Sequence, residues 1–165
     1  WISLNTGITE RTIDGLNLDA EDRPQSFRSK FDRRLTLHVI HSWRLGERWM
    51  INSRFTRASG QPYTQVFGSG EIELPSGQSW GFQEKGELNG VRLPYYQRLD
   101  ASLARTFVFG NWEMKAYLQI VNLRNRKNVF NYYWTDGKPQ KRKPGKRKEL
   151  SMLPVLPSFG FDFSF

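Results

Sequence analysis

The last eight residues, Ser158-Phe159-Gly160-Phe161-Asp162-Phe163-Ser164-Phe165, restrict what this chain can fold into more than any other stretch. Successive side chains of an extended strand leave on opposite faces. Phe159, Phe161, Phe163 and Phe165 therefore share one side, and Gly160, Asp162 and Ser164 share the other. Such a ribbon needs an apolar environment on one face only. The same two-residue period recurs upstream. From Leu35 to Leu45 the odd positions are mostly apolar, against Thr36, His38, Ser42 and Arg44. From Leu99 to Phe109, Leu99, Ala101, Leu103, Phe107 and Phe109 oppose Asp100, Ser102 and Thr106. From Trp112 onward, Trp112, Met114, Ala116, Leu118 and Ile120 oppose Glu113, Lys115, Tyr117 and Gln119. Trp1 to Ile8 and Met50 to Arg57 alternate more weakly. On a helical template these windows set charges on the apolar stripe, so the period predicts about six strands.

Composition separates a soluble sandwich from a membrane wall. Aromatic residues make up 15% of the chain, with six Trp and twelve Phe, yet mean hydropathy is −0.65. A soluble core so rich in rings normally brings more aliphatic residues, whereas a wall with one lipid face and one watery face averages out polar. No run of about 18 apolar residues occurs, which excludes a transmembrane helix but not a transmembrane barrel. With no cysteine, disulfide frameworks, thiolate metal sites and cysteine nucleophiles fall away together. The chain opens at Trp1 without initiator Met or apolar leader, which predicts either a removed signal or the tail of a longer polypeptide.

The predicted connections form two classes. Gly46-Glu47-Arg48 and Gly110-Asn111 are tight hairpin turns, the latter supplying the positive φ that short hairpins need. Thr12 to Lys30, Gln61 to Pro94 and Thr135 to Leu153 are long and rich in Gly, Pro, Ser, Asn and charge. Short and long alternate, as in outer-membrane barrels with periplasmic turns and extracellular loops. Trp43, Trp49 and Trp112 flank the short turns, and Tyr95, Tyr96, Tyr132, Tyr133 and Trp134 lie where strands meet long loops, which predicts two aromatic girdles at the bilayer interfaces.

Net charge is +9, and Lys138, Lys141, Arg142, Lys143, Lys146, Arg147 and Lys148 face a single carboxylate, Glu149, so this tract supplies six of the nine. The tract is a candidate contact for anionic lipid or an anionic ligand, in competition with a plain solvated loop. It lacks the interleaved rings of a single-strand nucleic-acid binder, so no nucleic-acid partner is predicted. His38 and His41 differ in parity and share no metal. No nucleophile elbow, phosphate loop or His/carboxylate constellation is present, so neither enzyme activity nor a cofactor is predicted. Arg54, Asp100, Glu113, Lys115 and Gln119 are placed on the inward face.

Five segments in order resemble the C-terminal region of TonB-dependent outer-membrane receptors. They are Phe31-Asp32-Arg33-Arg34-Leu35-Thr36-Leu37; Arg57-Ala58-Ser59-Gly60-Gln61-Pro62-Tyr63-Thr64; Tyr96-Gln97-Arg98-Leu99-Asp100; Val121-Asn122-Leu123-Arg124-Asn125-Arg126-Lys127-Asn128-Val129; and Leu156-Pro157-Ser158-Phe159-Gly160. The resemblance implies an all-β, antiparallel transmembrane barrel of which residues 1–165 are the C-terminal portion, in the bacterial outer membrane. It implies energised uptake of a ligand through a plug domain and a TonB box that this chain does not recognisably contain. Implied partners are the remaining strands and plug, outer-membrane lipid and lipopolysaccharide, TonB, and the barrel-assembly machinery. The terminal strand, Phe159, Gly160, Phe161, Phe163 and Phe165, resembles that machinery's recognition signal. About six strands fall short of the roughly eight that close the smallest membrane barrel, so the chain is not expected to close alone. The alternative is a structural barrel component without uptake.

Overall fold

The computed structural model describes residues 1–13, 25–135 and 146–165. Within these the chain is all-β, with fourteen strands and no helix. Six strands form one antiparallel sheet: β1 (Ile2–Thr6), β4 (Leu35–Leu45), β5 (Trp49–Ala58), β10 (Tyr96–Phe109), β11 (Trp112–Val121) and β14 (Leu156–Ser164). Their spatial order is their chain order, so the sheet is an up-and-down meander with β1 and β14 at its edges, not closed into a barrel. The remaining strands lie within the long connections. They pair as β2 (Glu10–Ile13) with β3 (Gln25–Arg28), β6 (Pro62–Tyr63) with β9 (Val91–Arg92), β7 (Val66–Glu73) with β8 (Ser79–Lys85), and β12 (Val129–Thr135) with β13 (Lys146–Ser151).

The meander follows from its turns. Phe109 pairs with Trp112 across Gly110 and Asn111. Gly110 has φ +61°, the conformation demanded at the first central position of a II′ hairpin turn. Gly46, at φ +63°, opens the turn that brings Leu45 opposite Trp49. Both turns and the chain's end at Phe165 lie at one rim of the sheet. All three long connections leave from the other rim.

Register carries the two-residue period across the whole sheet. Ile2 pairs with Val39, Val39 with Phe55, Phe55 with Leu99, Leu103 with Leu118, and Leu118 with Phe159. Every predicted apolar row therefore falls on one face, and a one-residue slip at any pairing would break it. The opposite face carries Thr36, His38, Asn52, Arg54, Asp100, Ser102, Glu113, Lys115, Gln119 and Asp162.

No residue on the apolar face of the sheet is enclosed. The enclosed sheet residues, Thr56, Ala58 and Ala104, belong to the polar face. On the apolar face Ile2, Leu4, Trp43, Leu118, Phe161 and Phe163 are exposed, and Phe159 is 78% exposed. No second layer covers them among the described residues.

The long connections are more ordered than their composition suggests. Val66–Glu73 and Ser79–Lys85 form a hairpin, irregular between Val66 and Gly68, whose turn is closed by Leu74 and Gln78, with Gly77 at φ +80°. The first strand of the third long connection begins at Val129, upstream of the predicted loop start at Thr135.

Candidate functional site

Two sites emerge: the open apolar face with its terminal strand, and a polar lattice at the long-connection rim that anchors the loops.

At the short-turn rim the apolar face ends in aromatic residues. Phe109 stacks on Trp112 at 4.4 Å between ring centres, and Trp112 approaches Phe163 at 6.2 Å and Phe165 at 6.4 Å. Trp43 and Trp49 belong to the same face, so the three tryptophans expected at this rim do share it. Phe107, Phe109, Phe163 and Phe165 complete the row. Their parity was legible in the sequence, but their convergence depends on cross-strand register. Arg105 also lies on this face, its guanidinium 4.9 Å from the Trp49 ring centre and 4.7 Å from that of Phe107. The terminal strand lies in full register with β11, from Leu156 opposite Val121 to Ser164 opposite Glu113, and its other edge has no strand partner among the described residues. Gly160 sits beneath the Tyr117 side chain, where a Cβ would come within 2.4 Å of the Tyr117 hydroxyl.

At the opposite rim the expected second girdle is divided. Tyr96 pairs with Ala58 on the polar face, beneath Arg33, whereas Tyr95 contacts Arg57, which belongs to the apolar face. Tyr95 lies just before β10 and Tyr96 is its first residue, and the two rings meet different arginines. Tyr132, Tyr133 and Trp134 stand off the sheet in β12, opposite Glu149, Lys148 and Arg147. Tyr132 packs on Tyr63 at 5.4 Å, and with Gln65, Val66, Trp134 and Arg147 these rings line an open cleft of ≈ 240 Å³. The Trp134 indole N–H is buried there without an acceptor.

The lattice that anchors the loops draws on the first four of the segments quoted above, together with Thr9, Arg92, Leu93 and Leu153. Asp32 is fully buried. Its carboxylate accepts the Thr9 N–H at 3.1 Å and the Arg92 guanidinium, which also donates to the carbonyls of Asp32 at 2.9 Å and Gly60 at 3.0 Å. Burial alone pushes the Asp32 carboxyl upward, but the Thr9 N–H, Arg92 and the charge of Arg34 outweigh it and hold the group below the ordinary aspartate value. Gly60 is pressed against the backbone of the chain returning toward β10: a Cβ there would fall 1.6 Å from the Leu93 carbonyl oxygen. Asp100 accepts the Asn122 N–H at 3.0 Å and pairs with Arg98 at 2.9 Å, so this predicted lumen carboxylate is committed to the lattice. Asn122, in the left-handed region at φ +56°, donates to the carbonyls of Arg126 and Leu153, both at 3.1 Å. Asn128 accepts the Gln97 N–H at 3.0 Å and donates to its carbonyl at 2.8 Å, acting as a side-chain substitute for a strand partner. Buried backbone groups need such partners wherever a strand runs past its neighbour.

Of the basic tract, Lys138, Lys141, Arg142 and Lys143 lie outside the described residues. Lys146, Arg147 and Lys148 are exposed in β13, with Arg147 stacked 4.6 Å from the Tyr132 ring centre. His38 and His41 face opposite sides: His38 hydrogen-bonds Thr56 at 3.1 Å, and His41 meets the Trp43 ring at 6.5 Å. Among the described residues no group of His, Asp or Glu is disposed to hold a metal ion. Compared with known protein families, curated proteins and solved structures, the chain matches none.

Proposed function

We propose that this chain is the C-terminal part of an outer-membrane β-barrel of the TonB-dependent receptor type, supplying wall strands and extracellular connections for uptake of a ligand. The single observation that carries the reading is the uncovered apolar face. It is kept in register over six strands and left open, while the enclosed sheet residues, Thr56, Ala58 and Ala104, lie on the polar face. Burying one large apolar side chain is worth about 1.5–3 kcal/mol, so a row of exposed rings is costly in water and favourable in hydrocarbon. Strand length agrees: β4, β5, β10, β11 and β14 have 9 to 14 residues, and about 9–11 tilted residues span a bilayer core. The free edges of β1 and β14 require further strands, because an unpaired backbone group in lipid costs several kcal/mol. Those strands come from the rest of the same polypeptide or from a partner chain.

The test places one epitope at Ser76, in the β7–β8 turn, and another at Glu47, in the short turn, of the full polypeptide in cells. Antibody on intact cells is expected to reach the first and not the second; equal access to both would refute the orientation. Cross-linking of the full polypeptide to TonB distinguishes uptake from a purely structural barrel, for which no TonB adduct is expected.

A further inference from the structure

Two guanidinium groups meet one ring where the apolar face ends at the long-connection rim. Arg57 lies 5.0 Å and Arg126 4.1 Å from the centre of the Tyr95 ring. Arg126 also donates to the Tyr95 hydroxyl at 3.1 Å and to its carbonyl at 3.4 Å. Register places Arg57 on the apolar face, opposite Leu37 on one neighbour and Gln97 on the other, with Phe55 and Leu99 next along the same face. Among the described residues neither guanidinium has a carboxylate partner. Arg126 Nε is buried without an acceptor. The acid closest in sequence to Tyr95, Asp100, belongs to the other face and is engaged by Arg98 and Asn122. Arg124 and Lys127, both exposed, add to the positive field.

Two unpaired cations on one ring repel each other, and an aromatic face offsets that only partly. A tetrahedral dianion relieves it, because the planar guanidinium presents paired donors that match phosphate oxygens. The site adjoins an uncovered hydrocarbon-like surface on one side and polar loops on the other, which selects an anion that carries its own apolar chains. We propose that Arg57, Tyr95 and Arg126 bind the phosphate group of a lipid whose chains lie against the apolar face beside Phe55 and Leu99. The inference rests on the membrane-wall reading above. It adds a contact at the rim of the sheet to the candidate in the basic tract, of which Lys146, Arg147 and Lys148 lie on the β12–β13 hairpin.

The test reconstitutes the full polypeptide in phosphatidylcholine vesicles containing a trace of spin-labelled lipid, and compares the motionally restricted fraction of labelled phosphatidic acid with that of labelled phosphatidylcholine. The wild type is expected to prefer phosphatidic acid. Arg57→Gln, at an exposed side chain that makes no hydrogen bond among the described residues, should reduce the preference roughly five-fold, as for one cation at a membrane surface, and adding Arg126→Gln should reduce it further. Arg48→Gln in the short turn, a single cation with no second guanidinium beside it, should reduce the preference less than Arg57→Gln. An unaltered preference in Arg57→Gln and in the double variant overturns the site, as does loss of the wild-type preference on adding excess inorganic phosphate, which would mark a free-ion site. If neither labelled lipid shows a restricted component with the wild type, the membrane-wall reading itself fails.

Discussion

Replacing Asp32 by Asn separates the roles of charge and shape in the loop lattice. The amide fills the same space, but only one of its two terminal atoms accepts hydrogen bonds. Asp32 receives donors at both oxygens, the Thr9 N–H at Oδ1 and the Arg92 guanidinium at Oδ2. In Asp32→Asn one of these donors must face an NH2 group. Breaking a buried ion pair from one side costs about 3–5 kcal/mol. The Arg92 side chain is 22% exposed and keeps its bonds to two backbone carbonyls, so water compensates part of the loss. A hydrogen bond to a charged group is worth about 1.5–3 kcal/mol, and we expect about 2–3 kcal/mol here. The cost should appear as local opening at the rim. Hydrogen exchange on the full polypeptide should show the amides of Thr9, Ser29 and Leu93 exchanging about 30- to 150-fold faster, at about 1.36 kcal/mol per factor of ten. Amides of β4 and β5 near the short turn should not change.

The pH dependence follows from the same residue. A carboxyl held below its ordinary value when folded stabilises the fold fully above the unfolded aspartate value of about 3.9, and the contribution is lost as pH falls from there through the folded value. Wild-type protection at these amides should therefore be flat from neutral pH down to about pH 4 and fall below it, whereas Asp32→Asn should lack that acid step. Unchanged exchange in the variant, or an acid step that survives the substitution, would refute the assignment of Asp32 as the charge that holds the rim together.

Gly60→Ala should be far more damaging than its size suggests. A Cβ at 1.6 Å from the Leu93 carbonyl oxygen forces the backbone apart, and loss of more than about 3 kcal/mol or failed assembly is expected in a denaturant titration of the folded protein. Gly160→Ala meets the movable end of Tyr117 instead, so a cost of about 1 kcal/mol is expected, most of it absent when Tyr117 is also Ala, in a double-mutant cycle. Deleting Phe165, which packs near Trp112 and ends the free edge strand, should lower the amount of protein assembled in the outer membrane in cells; unaltered assembly would count against a recognition role for that strand.

The sequence and structure part company where information stops being local. The strands of the large sheet were legible because a two-residue period is written within each segment, and the short turns because Gly110-Asn111 and Gly46 carry their own conformational signal. The Tyr96 strand begins three residues before the predicted Leu99, since Tyr96 to Arg98 are polar or aromatic and show no alternation. The hairpin of Val66–Glu73 with Ser79–Lys85 falls within a predicted loop because Ile72, Trp80 and Phe82 come to share one face only through the pairing of its two strands, among Gly, Ser and charged residues. Its pairing rests on the turn around Gly77. The Asp32–Arg92 pair joins residues far apart in sequence, and neither neighbourhood points to the other. The Asp32 and Gly60 segments stand out in the sequence only through their resemblance to one family, and in the structure both positions anchor the rim. Tyr95 and Tyr96 also meet different arginines, a distinction their sequence adjacency obscured.

The solvent that meets the apolar face decides whether this sheet is a membrane wall. The chain contains no cysteine, so single cysteines at Leu118, Gln119, Phe161 and Asp162 report cleanly in membranes containing the full polypeptide. We expect Leu118→Cys and Phe161→Cys to react with a maleimide dissolved in the bilayer and resist a charged aqueous one, and Gln119→Cys and Asp162→Cys to do the reverse. If both reagents label all four positions alike, or if the charged reagent favours Leu118→Cys and Phe161→Cys, hydrocarbon is not what covers this face.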